Sequence, residues 1–586
     1  MVPPKITARH ERVDDIPVII ALLFKLRVAE LIDKHFPTNG NRTGLSLGQM
    51  CVIWLTFILS QADHRLNQVE PWVAEHHVTL SRCLDCEVQP RDCNDDRLAA
   101  GLDYLNVSQC WQAFEAELNG SIIRTYDLKT ERVRLDTTTA SAWVSPDGLF
   151  QFGHSKDHRP DLPQLKISLS VLDPIGLPLT TTIVAGNAAD DPLYLPEIAR
   201  VRRSIGHSGL LHIGDCKLAS LANRSEIVAQ QDYYLCPLSQ IQVPAQELDR
   251  LLEPVWSGRQ ALLDVYLPAE EQAATSEPDL DERIAVGFET SVRLSGQDQA
   301  GKVQSWDERR LIVRSLSFAS AQTQSLNQRI ERAQAEIAAL NERKQGKPRL
   351  ASLEQAQAAA QAIAKARGVA DLLQSEVECQ VEERNKRAYG TRPARTLREE
   401  IFQVRTTINQ QKFEQAVRRL GWRVYATNQA ATELPLKKAV WAYREQYQIE
   451  QGFGRLKGCP LSLTPFYLQY EHRIVGLILL LTVALRVLAL TQFVAREKLK
   501  EQGQKLSGIY AGQPGRQTDS PTTEMLLRAF RELTLSRINI EGETHWYLTP
   551  LSETQKRILK LLGLSTRIFS KLIPAIPKTE FHSREP

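Results

Sequence analysis

Three acids far apart in the chain stand where their chemistry can be combined. Asp136 follows the alternating run Arg132-Val133-Arg134-Leu135 and precedes three threonines, which places it in a strand. Asp215 closes Leu210-Leu211-His212-Ile213-Gly214, a short run with the composition of a buried strand. Glu450 lies in Tyr443–Lys457, YREQYQIEQGFGRLK, which has no proline and keeps its glycines late, a helical pattern. Carboxylates are hard ligands, and one or two of them usually hold Mg²⁺ while water and phosphate oxygens complete the shell. Two such ions about 3.5–4 Å apart activate the attacking oxygen and stabilise the leaving one in phosphoryl transfer. In that arrangement Asp136 bridges the ions, and Asp215 and Glu450 each complete one shell.

The helix around Glu450 offers more. Seven residues make about two helical turns, so Tyr443, Glu450 and Lys457 share one face with Gln446 between the first two. Tyr443 and Lys457 are placed to hold the phosphates of a scissile strand, and Arg455 and the Arg486–Lys500 region are basic enough to line a DNA channel. Competing readings stay open. On spacing alone Glu450 reads equally well as an exposed helix acid, and helices routinely expose Lys and Arg. The region also holds Asp157, Asp161, Asp173, Asp190 and Asp191. Asp173 suits a turn, and Asp190 and Asp191 suit a helix N-terminus.

The elements that must position these residues can be read from pattern. The chain has 586 residues, enough for several domains, with 42% hydrophobic and 24% charged residues, ordinary values for globular protein. A net charge of +3 means that any nucleic-acid surface is a local patch. The nine cysteines are scattered and no secretory signal pattern opens the chain, so reduced thiols in a cytoplasmic protein are expected. Cys83-x2-Cys86, with His76, His77 and Cys93 nearby, lacks a second paired half, so a loop with two thiols is preferred over zinc. Ile474–Leu485 is closed by Arg486 and falls short of the ~20 apolar residues of a membrane span, so it reads as a core helix.

Five regions follow. Residues 1–125 read as a helical N-terminal domain, with Pro17 in the first turn of Val18–Leu31, Ser46 capping Leu47–Leu59, and Asn94 leading into a helix ending near Leu105. Such a domain binds DNA ends or simply packs, and the residues do not separate the two. Residues 126–240 hold strands at 132–136, 165–172 and 179–184, a helix at 193–203, a strand at 210–214, a helix at 217–230 and a strand at 233–236, an α/β pattern with a mixed sheet. Residues 241–435 read as a β-rich insertion with a helical hairpin around 318–385. Leu326, Ile330, Ala333, Ile337 and Leu340 form its heptad stripe, and Gly346-Lys347-Pro348 its turn. Residues 436–500 return to the core with the Glu450 helix, and 501–586 form a linker and a small helical region in which Ser552 and Gln555 suit a capping box.

The Tyr443 segment resembles the Tyr-x2-Arg-x3-Glu-x6-Lys signature of DDE transposases from bacterial insertion sequences, with Tyr443, Glu450 and Lys457 in register. LDTTT at Asp136 and HIGDCKLAS at Asp215 are similar to that family's first and second acidic motifs. GHSKDHRPDLPQ at 153–164, and Gly186-Asn187 with Asp190, are similar to further stretches. The resemblance covers about residues 130–240 and 440–490. It implies a ribonuclease-H-like core that binds two Mg²⁺ or Mn²⁺ ions per active site. It also implies cleavage at the ends of an insertion sequence, strand transfer into target DNA, probable cut-and-paste transposition, and a homodimer holding both element ends. Partners would be double-stranded DNA, without a membrane, in a cytoplasmic, nucleoid-associated protein. In that branch an insertion tryptophan stabilises a flipped base. Trp256, Trp306 and Trp422 are candidates, although core roles suit each better. The sequence departs from the signature at Gln446, where the family has arginine. The alternatives are a structure-specific nuclease on the same fold, or a DNA-binding or scaffolding protein without catalysis.

Overall fold

The computed structural model describes residues 6–40, 43–268, 283–342, 350–387, 390 and 395–574. The chain divides into two compact units: Met1–Cys236, Ser295–Trp306 and Tyr443–Pro586 form the first, and Pro237–Leu294 with Asp307–Ala442 form the second.

The first unit opens with a strand, β1 (Ile6–Arg12), where helix was expected. It pairs antiparallel with Thr534–Ile540, which pairs in turn with Glu543–Leu548, so the C-terminal region expected to be helical also carries a β-hairpin. The partners are more than 500 residues apart in sequence, a distance over which local pattern is silent. Helices α1 (Ile16–Lys25), α2 (Val28–His35), α3 (Leu47–Gln61), α4 (Val69–Leu84), α5 (Asp95–Leu105) and α6 (Ser108–Thr125) follow. The single helix expected over 18–31 is broken at Arg27, whose φ of 58° lies in the left-handed region. Ser46 makes a full capping box with Gln49, and Asn94 accepts from the N–H of Arg97. Gly48 lets α3 meet α2, since a Cβ there would lie 2.0 Å from the carbonyl oxygen of Ala29.

The sheet of this unit runs β4 (Leu177–Ala185), β3 (Gln164–Asp173), β2 (Arg132–Ser141), β5 (Leu211–Ile213) and β6 (Tyr233–Pro237) in spatial order. β2, β3 and β4 are antiparallel neighbours, and β5 and β6 run parallel to β2. Helices α7 (Asp191–Ile205) and α8 (Leu221–Ala229) supply the crossovers. β3 is buried along its whole length, the mark of a strand covered on both faces.

The helix Glu471–Glu501 is long and apolar enough to cross a membrane by length and composition, yet 94% of its most apolar stretch is buried within the protein. Arg486 in its middle is fully buried, which removes it from the DNA-lining role suggested by position. Its guanidinium donates to Glu115 Oε1 at 2.9 Å and Asn119 Oδ1 at 3.2 Å, both on α6. Arg200 of α7 donates to the other Glu115 oxygen at 2.5 Å. One carboxylate therefore ties the core helix to α6 and α7.

In the second unit the spatial strand order is Trp422–Thr427, Val303–Ser315, Arg283–Gln297 and Leu263–Tyr266, the central two being shared in part with the first unit. Helices Leu316–Ala338 and Leu353–Ala366 pack through Leu326, Ile330, Ala333 and Ile337 against Ala356, Ala360 and Ala364, the expected hairpin. Alanines on one helix let the two axes approach closely. The hairpin ends earlier than expected, because Leu373–Lys386 is a strand paired with Arg395–Ile408. The Gly346–Pro348 turn lies outside the described residues.

Truncating Glu115 to alanine leaves two guanidinium groups, one of them fully buried, without their shared counter-charge. The loss is on the order of 3–5 kcal/mol, read as a lower urea midpoint, and Glu115→Gln falls between that variant and wild type.

Candidate active site

β2 carries the first acid, and the second lies just past the end of β5. The parallel register pairs Arg134 with Ile213, and Asp136 on β2 and Asp215 beyond β5 each lie two residues further on, near enough for the Asp215 charge to act on Asp136. Each is held by its own partners. Asp136 accepts from the N–H of Thr137 at 2.7 Å and from Lys156 Nζ at 3.2 Å. Asp215 Oδ1 accepts from Tyr194 Oη at 2.6 Å and from the N–H of Lys217 at 2.9 Å. Burial pushes the Asp136 carboxyl above the usual carboxylate range; the Lys156 ammonium and the Thr137 N–H oppose that, and the charge of Asp215 adds to it. Burial, followed by the nearby Asp215 charge, drives Tyr194 well above an ordinary phenol, so it remains a donor.

The third acid is positioned by a helix laid beside β2. Leu436–Arg444 ends just before Glu445, and Tyr447–Lys457 begins two residues later. Before Asp136 on the strand, the Arg134 guanidinium donates to Glu445 at 3.3 Å and to Asp173 at 2.9 Å. Beyond Asp136, Lys457 Nζ donates to Thr138 Oγ1 at 2.9 Å and to Asp157 at 2.5 Å. These two ties bracket Glu450. The strand covers about 13 Å between Arg134 and Thr138 with Asp136 midway, and Glu450 lies in the first turn of the helix, about 10 Å before Lys457. Glu450 also shares the helical stripe of Lys457. Its carboxylate is nevertheless exposed and, among the described residues, has no hydrogen-bond or ion-pair partner. No group of three His, Cys, Asp or Glu side chains is drawn together at metal-binding distance among the described residues. Asp136 and Asp215 are brought together; Glu450 flanks them without joining them.

The other residues singled out from sequence divide sharply. Lys457 faces the site. Tyr443 is half-buried on the preceding helix, and Gln446 sits at the break between the helices with its side-chain oxygen buried and, among the described residues, unpartnered. Arg455 is a correction. It is only 9% exposed and donates to Gln492 Oε1 at 2.6 Å and to Glu524 at 2.8 Å, so it ties this helix to its neighbours and does not face DNA. Asp173 does more than turn the chain, since it is buried against Arg134 and Arg132. Asp190 makes no side-chain cap and accepts from Lys166 Nζ at 2.6 Å instead. Lys156, Tyr194 and Asp157 were not singled out as site residues. Lys156 and Asp157 do lie in the GHSKDHRPDLPQ stretch, whose polar residues without a strand or helix pattern were the available signal. Trp306 and Trp422 are buried, donating to Tyr234 Oη and the carbonyl of Arg418, and Trp256 packs into the apolar cluster of the second unit.

Lys156→Met removes the cation that holds the Asp136 pKa down, so this carboxyl rises further. A carboxyl raised in the folded state contributes stability that is present at low pH and lost as pH rises through its folded value. The variant therefore loses more stability relative to wild type at pH 8 than at pH 4, read as the difference in urea midpoints at the two pH values.

Residues 8–116 match a family model described as a domain of unknown function, DUF4277. No curated protein matches the chain. Among solved structures, the chain is similar to that described as the piggyBac transposase synaptic complex with hairpin DNA, at 9% identity and a TM-score of 0.24. The alignment covers 51% of this chain and 62% of that one. A superposition so loose carries no functional information, and the reading of the site rests on its own geometry.

Proposed function

We propose that the chain is a DNA transposase of the DDE type that cleaves at the ends of an insertion sequence and joins the freed ends to target DNA, by a cut-and-paste route. One observation carries the reading: Asp136 on β2 and Asp215 just beyond the parallel β5 lie near each other, while the segment bearing Glu450 is tied to β2 on either side of Asp136, through Glu445 and Lys457. The order β4-β3-β2-β5-β6, with three antiparallel strands followed by two parallel ones, supports a ribonuclease-H-like core. The sequence resemblance at Asp136, Asp215 and the Tyr443–Lys457 segment supports the transposase branch of that fold.

The donor set fits a hard divalent cation. Two adjacent carboxylates repel, and a lysine ammonium already lies on the Asp136 oxygen, the kind of charge that such a pair calls for. Asp136, Asp215 and Glu450 would hold Mg²⁺ or Mn²⁺, which when bound supplies activation of the attacking oxygen and stabilisation of the leaving one. The chain's own residues do the positioning. Tyr194 and the Lys217 N–H fix the Asp215 carboxylate, and the Thr137 N–H fixes that of Asp136. Lys457 can exchange Asp157 for a phosphate oxygen of the scissile strand. Water attacks phosphorus at the element end, the bond to the 3′-oxygen breaks, and that oxygen takes a proton. The resulting 3′-hydroxyl then attacks a target phosphodiester, displacing its 3′-oxygen in the same way. A homodimer would hold both element ends.

Asp136→Asn, Asp215→Asn and Glu450→Gln should each reduce metal-dependent cleavage of supercoiled donor DNA by at least ~100-fold, since loss of even an outer-shell partner costs 10- to 100-fold. Cleavage at the wild-type rate in any of them removes that residue from the site. Products cut but never joined to target would make the protein a nuclease of this fold.

A further inference from the structure

Beyond Asp136, β2 leads into a groove of about 710 Å³, within the ~300–1,000 Å³ range of ligand sites. Its walls are the connection from β2 to β3 and the segment between the Glu450 helix and the core helix Glu471–Glu501. Phe150 and Phe466 meet edge to face across it, with ring centroids 5.4 Å apart. Trp143 lines one wall and Tyr467 the other, and both rings are turned to solvent, 78% and 56% exposed. Two exposed rings on facing walls of one groove give it an apolar lining of the kind found at interaction sites.

The chemistry around the rings says what kind. The Arg159 guanidinium lies 5.0 Å from the Trp143 ring centre, and that of Arg65 lies 5.9 Å from the Tyr467 ring. Just past the groove Tyr470, 56% exposed, carries Arg473 at 5.1 Å. A planar ring beside a guanidinium offers a face for a base. Each fork now holds a carboxylate, Arg159 that of Asp161 and Arg65 that of Asp63, in partly exposed pairs that a phosphate can displace at little cost. Three acids line the groove, and Asp147 accepts from the N–H of Gly148 at 2.9 Å. Asp157 accepts from Lys457, and Glu471 accepts from the N–H of Leu149 at 2.6 Å. Asp157 also links the groove to the acid site, and Ser141 at the groove lies five residues beyond Asp136, about 16 Å along the strand. That length corresponds to roughly five stacked nucleotides at ~3.4 Å each.

We propose that this groove binds unpaired nucleotides of a DNA strand leading away from the Asp136–Asp215 site, with bases stacked on Trp143 and Tyr467 and phosphates held by Arg159 and Arg65. Stacking on a ring is tolerant of base identity, so the groove selects single-stranded character and not a sequence. The identity of the strand rests on the phosphoryl-transfer reading, whereas the stacking does not require it.

The test is binding of a dye-labelled oligothymidylate of fifteen nucleotides to the full chain in EDTA, read by fluorescence anisotropy. Trp143→Ala and Tyr467→Ala should each weaken binding by about tenfold or more. Trp143→Phe and Tyr467→Phe, which keep a ring, should recover most of it. Affinity for a blunt duplex of equal length should be unchanged in all four. Single-strand affinity unaffected in the W143A/Y467A double variant, or an equal fall for duplex and single strand, overturns the proposal. Asp136→Asn separates the two readings. If it still cleaves while the aromatic variants lose single-strand binding, the acid-site reading fails and the groove stands. If it abolishes cleavage while the aromatic variants bind normally, the groove fails and the acid site stands.

Discussion

A buried arginine on the first core strand holds the active-site region in register. Arg134 has no exposed surface and joins Asp173 at the end of β3 to Glu445 at the junction of the two helices beyond the insertion. Asp173 and Glu445 are separated by 272 residues (445 − 173), so this group joins two pieces of the unit between which the insertion intervenes. A buried ion pair is seldom a large net source of stability, because desolvation opposes the attraction. What it enforces is specificity. A guanidinium in that position is tolerable only with its carboxylates in place, and they are in place only when the helix lies along β2 in one register. That register is what sets the helix bearing Glu450 beside the strand bearing Asp136.

The charges nearer the site are arranged on a different plan. Asp136 and Asp215 are placed to repel, and the repulsion is moderated by groups that can leave. Lys156 reaches Asp136 from a loop, and Lys457 shares its ammonium between Thr138 and Asp157. Both lysines are partly exposed, so exchanging their partners costs little compared with uncovering Arg134. The fixed network lies below the acids and the exchangeable one above them, toward the groove. The proposed function, in which the site admits a cation and a phosphate, calls for that division. The scaffold must not yield when ligands arrive, whereas the groups in their way must.

Legibility from sequence followed the range of the interaction. Caps at Ser46 and Ser552 were readable because donor and acceptor lie three residues apart. The strand that leads to Asp215 and the heptad stripe of the helical hairpin were readable from period; the strand expected to end at Asp136 runs on to Ser141, because the three threonines that follow are themselves good strand residues. The pairing of β1 with Thr534–Ile540 was not, since each strand taken alone is short and unremarkable in pattern. Tyr194 was hidden because nothing in α7 marks one tyrosine as facing an acid on another strand. Arg455 was misread for the opposite reason: a basic residue next to a signature lysine suggests a surface, and only the tertiary fold shows Glu524 and Gln492 waiting beneath it.

The same inward turn bears on how this unit can hold a polyanion. Arg134 and Arg486 are fully buried and Arg455 nearly so, each already matched to a carboxylate. Near the acids, accessible cations include Lys156 and Lys457, each on one carboxylate, and beside the groove arginines resting on aromatic rings. With a net charge of +3 there is no broad field to attract DNA from a distance. On the proposed function, affinity at this end of the sheet would come from close contact, with rings meeting bases and each cation exchanging an internal partner for a phosphate. Such contacts would demand a strand whose bases are available, and that condition would tie the chemistry proposed at Asp136 and Asp215 to the state of the DNA presented to them.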